Sequence, residues 1–166
     1  KTALPRWKRW NEMTKQLITR CTQSIDSFQP LGKTVDTIDG PFVFRDNGAS
    51  VLAVAHLDCV CHAKTVMQGE TIYCPQLDDR LGVWIILDLL PSLGVNVDWL
   101  LTDGEESGRS TAAHFKKTKS YNWLVEFDRR GLDVVHYDLD SPGWVSAWDE
   151  MATVGQGSFS DISSLD

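Results

Sequence analysis

The chain has 166 residues, 42% of them hydrophobic and 23% charged, enough for one domain with a substantial core. A formal net charge of −7 argues against nucleic acid as the main partner, and no apolar run reaches the ~18 residues that a membrane span requires. Lys1–Met13 is basic but has no apolar h-region, so it is not a secretory leader. Cys59 and Cys61 stand at CxC rather than CxxC spacing. Both features point to free thiols in a reducing, cytoplasmic setting.

Leu4, Trp7, Trp10, Met13, Leu17, Cys21, Ile25 and Phe28 recur every three or four residues, which predicts an amphipathic helix over Pro5 to Ser27. KTVDTI and PFVFR, split by Asp39-Gly40, predict a β-hairpin. SVLAVAH is a β-branched apolar run without polar alternation, as in a strand buried on both faces. KTVMQGETIYC reads as a second small hairpin. LGVWIILDLLPSL, after Asp79, reads as a helix closed by Pro91 and Gly94. VNVDWLL, NWLVEF and LDVVHY read as strands, and Ser110–Lys117 and Ser141–Met151 as short helices. This order implies an α/β fold with a sheet covered by helices on both sides.

Ligands of open α/β sheets bind beyond the carboxyl ends of the strands. There the sequence sets His56 and Asp58 after SVLAVA, Glu105 and Glu106 after VNVDWLLTDG, and Asp128 after NWLVEF, with Asp78-Asp79 ahead of the first long helix. Any one of these could be a solvated residue or a cap. Gathered at one edge, the carboxylates repel one another unless a cation neutralises them. Imidazole with carboxylates is a ligand set that zinc accepts. A glutamate beside a metal-bound glutamate can act as general base.

AHLD (Ala55–Asp58), LDDRLG (Leu77–Gly82), TDGEESG (Thr102–Gly108) and EFDRRG (Glu126–Gly131), together with the weaker GSFSDISSL (Gly157–Leu165), resemble in order the motifs of the co-catalytic di-zinc exopeptidases, in particular the bacterial zinc aminopeptidases. The resemblance implies a three-layer α/β/α fold with a mixed, mostly parallel central sheet. It implies a single catalytic domain over residues 1–166, without the inserted domains of larger relatives. His56, Asp78, Glu106 and Asp128 would be metal ligands for two zinc ions, Asp78 bridging them and the Asp78-Asp79 peptide being cis. Asp58 would sit behind His56 and orient its ring, and Glu105 would be the general base.

The implied reaction is hydrolysis of small peptides by metal-activated water, with an aminopeptidase as the first expectation. A related zinc amidase or deacylase, a one-zinc glutaminyl-cyclase-like enzyme and a non-catalytic peptidase-fold binding module are the alternatives. The family's second zinc takes a histidine from beyond the Ser-Asp segment, and this sequence has none after His136. Three readings stand: the chain lacks its C-terminal end, leaving an open sheet edge that invites self-association; His62 substitutes; or this is a degenerate, weakly active or one-metal form. His114 and His136 read as ordinary residues. Arg80 reads as a partner of the acidic site or as the start of a helix, and Arg129 and Arg130 as solvated loop residues.

Overall fold

The computed structural model describes residues 6–61, 64–69, 71–128, 133–137, 142–157 and 160–165. Helix α1 (Arg6–Thr22) ends earlier than its apolar spacing suggests, and a 3-10 segment, Ile25–Leu31, carries the chain on and buries Phe28. Strands β1 (Lys33–Thr37) and β2 (Gly40–Arg45) form the hairpin predicted around Asp39-Gly40. Strand β3 (Val51–His56) follows, then a short hairpin of β4 (Val66–Gln68) and β5 (Thr71–Tyr73).

Helix α2 (Leu77–Trp84) passes through a π-helical segment, Ile85–Leu89, into α3 (Leu90–Ser92), so the predicted helix is continuous but contains a bulged turn. Gly94, at φ 74°, closes it. Strand β6 (Asp98–Thr102) is fully buried, and the 3-10 turns Glu105–Ser107 and Thr111–His114 follow it. Strands β7 (Trp123–Glu126) and β8 (Val134–His136), helix α4 (Pro142–Asp149), strand β9 (Val154–Gln156) and a 3-10 turn, Ile162–Ser164, complete the described chain.

The fold is mixed α/β. Five strands form one sheet in the order β1-β2-β6-β3-β7. β3 pairs parallel with β6 and β7, whereas β2 pairs antiparallel with β1 and β6. The sheet is therefore evenly divided rather than mostly parallel, because the β1–β2 hairpin extends the parallel strands from one side. β8 stays out of this sheet and pairs with β9.

Both faces of β3 and β6 are covered, which accounts for their unbroken apolar sequence. On one face Ala53, Ala55, Trp99 and Leu101 pack with Val83 and Ile86 of the long helix and with Phe28. On the other face Leu52, Val54 and Leu100 pack with Phe42 and Phe115, flanked by Ile162 and Leu165. Among the described residues, 3-10 turns rather than an α-helix supply this second cover. Arg20 of α1 grips Asp88 with Nε at 2.7 Å and Nη2 at 3.0 Å, a two-pronged pair that ties the first helix to the π segment.

Asp98, fully buried at the start of β6, accepts from the backbone N–H of Asn47 at 2.8 Å and of Ala49 at 2.9 Å. It also accepts from the Tyr121 hydroxyl at 2.8 Å and pairs with Lys119 at 2.6 Å. Despite its burial, Lys119 and these donors hold Asp98 down to about 2. It fixes the loops at the edge of the sheet opposite the carboxyl ends of β3 and β6. Among the described residues no helix is long and apolar enough to cross a membrane, and all four cysteines are free.

Candidate metal centre

β3, β6 and β7 run parallel, so their carboxyl ends meet at one edge of the sheet. His56 is the last residue of β3, and Asp128 lies just past β7. Gly104, at φ 79°, turns the chain after β6 into the Glu105–Ser107 turn. A Cβ at Gly104 would strike the carbonyl of Arg109, so this tight bend requires glycine.

Asp78 enters from the start of α2, where the Asp78-Asp79 peptide is cis, as the family resemblance implies. Regular helical geometry begins only after Asp79, whose Oδ1 accepts the N–H of Gly82 at 3.0 Å as an N-cap. Gly82 has to be glycine, because a Cβ there would collide with the Asp79 carboxylate.

These segments bring His56, Asp78 and Asp128 together: one ligand atom of each lies within 4.8 Å of the others. His56 Nε2 stands 3.4 Å from Asp78 Oδ1 and 3.7 Å from Asp128 Oδ2. Two ligands of a tetrahedral zinc, each bonded at about 2.0–2.2 Å, stand about 3.3–3.6 Å apart. The observed spacing is close to that range.

His56 Nε2 is buried and has no hydrogen-bond partner. Its other nitrogen, Nδ1, has two oxygens within reach: the Asp58 carbonyl at 3.0 Å and Asp58 Oδ1 at 3.3 Å. Oxygen acceptors on that side keep the proton on Nδ1 and leave the Nε2 lone pair for a cation. The unpartnered nitrogen, the spacing and the ligand chemistry all fit a divalent metal.

Asp58 also fixes the glutamate pair. Its carboxylate accepts the N–H of Glu105 at 3.3 Å and that of Glu106 at 3.0 Å. Glu105 Oε2 lies 4.0 Å from His56 Nε2. The Glu106 side chain is exposed and is not part of the three-residue group.

The metal-free cluster holds protons that a cation would replace. Burial works to depress His56, but the Asp128 carboxylate 3.7 Å from Nε2 and the Asp58 oxygens at Nδ1, with the charge of Asp79 behind them, push it up to about 12. Burial and, more for so exposed a side chain, a proton shared with Asp128 raise Asp78 to about 6. For Asp128 the neighbouring His56 ring and the proton shared with Asp78 outweigh burial and hold it below the usual carboxylate range. Burial pushes Glu105 up to about 7; His56 opposes the rise, and the charges of Asp128, Asp161 and Glu106 add to it. Burial, then the charge of Asp128, drives Asp79 well above its ordinary value.

The other histidines stay apart. His114 bonds Asp39 at 2.7 Å, and His136 is half-buried in β8. His62, Arg129 and Arg130 lie outside the described residues. Arg80 begins the helix and is buried, its guanidinium 4.9 Å from the Phe28 ring centroid.

Sequence reasoning does not single out two further acids, half-buried Glu126 and fully buried Asp161. Glu126, on β7, is pushed up to about 8 by burial and by Asp161. Asp161 accepts hydrogen bonds from the Thr102 and Ser110 hydroxyls. The only sequence signal for Asp161 is its place in the Ser-Asp segment. No family model, curated protein or solved structure matches this chain.

Proposed function

We propose that the protein is a zinc-dependent exopeptidase, an aminopeptidase acting on small peptides or amides, with the sheet as the middle of three α/β/α layers. The observation that carries the proposal is the convergence of His56, Asp78 and Asp128, with His56 Nε2 buried, unpartnered and spaced for a metal. Zinc held there supplies a lowered water pKa and a polarised carbonyl. Glu105, beside His56 and held near neutrality in its proton affinity, takes a proton from the attacking water and passes it to the leaving amine. Asp58 fixes the imidazole tautomer and holds the backbone of the Glu105–Glu106 turn.

The test is metal analysis with hydrolysis of an aminoacyl-amide panel by the wild type and Glu105→Gln. The variant is expected to keep zinc and to lose about 10²–10⁴-fold in turnover. A wild type that binds zinc tightly and cleaves none of the panel would favour the binding module. Near-normal turnover in Glu105→Gln would remove Glu105 from the base role.

One observation favours a second reading with a single metal, as in a cyclase-like enzyme or an amidase. Among the described residues only one three-residue ligand group exists, and the Glu106 side chain is exposed outside it. Zinc stoichiometry separates the two readings. One zinc per chain, unchanged in Glu106→Gln, supports the single-metal form, and loss of a second zinc in Glu106→Gln supports the two-metal form.

A further inference from the structure

We infer that Asp161 is a positioning residue for the loop that carries Glu105, clamping the two stems of that loop from below. The inference rests on the reading of Glu105 as general base. The two oxygens of Asp161 are shared between the two ends of the loop. Oδ2 takes the hydroxyl of Thr102, the last residue of β6, and Oδ1 takes the hydroxyl of Ser110, just ahead of the Thr111–His114 turn. Everything between those hydroxyls is the segment with Gly104, Glu105 and Glu106.

The hydroxyls are committed to this carboxylate. Ser110 Oγ already accepts the N–H of Ala112 at 3.0 Å, so its own proton is directed to Asp161. Thr102 Oγ1 lies 3.3 Å from the Ala55 carbonyl but makes its closer contact with Asp161.

Asp161 is fully buried. An apolar side chain would fill such a place without the desolvation that a carboxylate brings, so the acid is explained by what it ties together rather than by core packing. Its segment is anchored in turn: Ser160 N–H donates to Ser163 Oγ at 2.8 Å, and Ile162 N–H donates to Glu126 Oε2 at 3.5 Å. Glu126 ends β7, the strand that leads to Asp128.

The glutamate loop is thus held twice. Asp58 grips the backbone N–H groups at its tip, and Asp161 grips the hydroxyls at its base. Asp161 thereby references the proposed base to the strand that delivers a proposed metal ligand. None of His56, Asp78 or Asp128 lies in the clamped loop, so loosening the clamp moves Glu105 without dismantling the three-residue group.

The experiment compares wild type, Asp161→Asn, Asp161→Ala, Thr102→Val and Ser110→Ala by amide hydrogen exchange, zinc titration and, where turnover is measurable, steady-state kinetics. Asp161→Ala is expected to speed exchange at the Glu105 and Glu106 amides by about tenfold or more while Ala53–Ala55 of β3 keep wild-type rates. Zinc affinity is expected to stay within about threefold, and kcat to fall about 10–100-fold at nearly constant KM. Asp161→Asn, which keeps one acceptor, should lie between.

If Asp161→Ala does not fold, Thr102→Val and Ser110→Ala each remove one side of the clamp, and each should speed exchange in the same loop. Unchanged exchange at Glu105 and Glu106 in the folded variants would overturn the inference. So would an equal acceleration in β3 accompanied by loss of zinc, which is the mark of a general structural role. A wild type without hydrolase activity would defeat the functional reading, while exchange and zinc binding would still decide the clamp.

Discussion

Replacing Asp58 by Ala tests whether His56 is a metal ligand held by its neighbour. The substitution removes the carboxylate 3.3 Å from His56 Nδ1 but keeps the backbone carbonyl at 3.0 Å, so the ring retains one orienting acceptor. Partners behind a metal-bound histidine are worth about 10–100-fold in affinity, and the surviving carbonyl places this loss near tenfold, or about 1.4 kcal/mol. The same change strips the acceptors from the N–H groups of Glu105 and Glu106. Bonds to a charged acceptor contribute about 1.5–3 kcal/mol each, but water reaches the exposed Glu106 turn, so about 2 kcal/mol of folding stability should go with them. For a chain of this size that lowers Tm by about 4–8 °C. Competition with a chromophoric chelator gives the zinc Kd, and thermal unfolding of the zinc-free protein gives the stability. A folded Asp58→Ala protein that loses stability but binds zinc within twofold of the wild type would refute the link between Asp58 and the metal and leave Asp58 as a loop staple only.

Zinc should displace the proton that metal-free His56 retains up to about 12, and part of that on Asp78 near pH 6, so titration calorimetry in buffers of different ionisation heat should show about one proton or more released per zinc at pH 7. Affinity should accordingly fall roughly tenfold per pH unit as the pH drops from 8 to 6, and a flat profile with no proton release would contradict the cluster's electrostatics. Gly82→Ala drives a methyl into the Asp79 carboxylate, and losing that cap with overpacking should destabilise the fold by about 2–4 kcal/mol in urea unfolding. Asp98 has a folded pKa of about 2, below its ordinary 3.8, so its contribution is complete above about pH 4 and is lost as pH falls through about 2. The acid limb of the stability curve should flatten in Asp98→Asn, and Asp98→Ala, which leaves two backbone N–H groups and the Tyr121 hydroxyl without their acceptor, should cost about 3 kcal/mol or more at pH 7.

Much of the frame is legible in the residues because its elements carry local signals. Apolar β-branched runs bounded by turn residues mark β1, β2, β3 and β7, and Asp39-Gly40 marks the hairpin between the first two. The π segment Ile85–Leu89 is not legible, since LGVWIILDLLPSL has the composition of an ordinary helix. Nor is the fate of β8: its apolar pattern says strand, but only the later Val154–Gln156 decides that it pairs outside the main sheet. Val95–Val97 reads as strand yet precedes β6, which begins at Asp98 where pairing with Leu52 starts. Ser110–Lys117 shrinks to a 3-10 turn capped by Ser110.

The site divides in the same way. His56 and Asp128 sit directly at strand ends, where sheet topology dictates their meeting, and Asp78 at a helix start facing them. Glu106 is different, because which of two neighbouring glutamates turns inward depends on the bend at Gly104 and on the grip of Asp58. The Asp161 contacts join residues more than fifty positions apart and leave no periodic trace.

The reversed direction of β2 also determines what else lies at the sheet edge that carries the candidate metal centre. Because β2 runs antiparallel to β6, with Val43 opposite Leu101, the β1–β2 turn projects at the edge where β3 and β7 end. Gly40 there lies so near Asp103 that a Cβ would sit 3.3 Å from its carboxylate, and Asp39 reaches His114 on the far side of the glutamate loop. Ile38, at 93% exposure, stands at the crest of this turn. That side of the sheet edge is bordered by a hairpin tip, anchored at its root and exposed at its summit. Its length and side chains can therefore change without disturbing the buried strands beneath it.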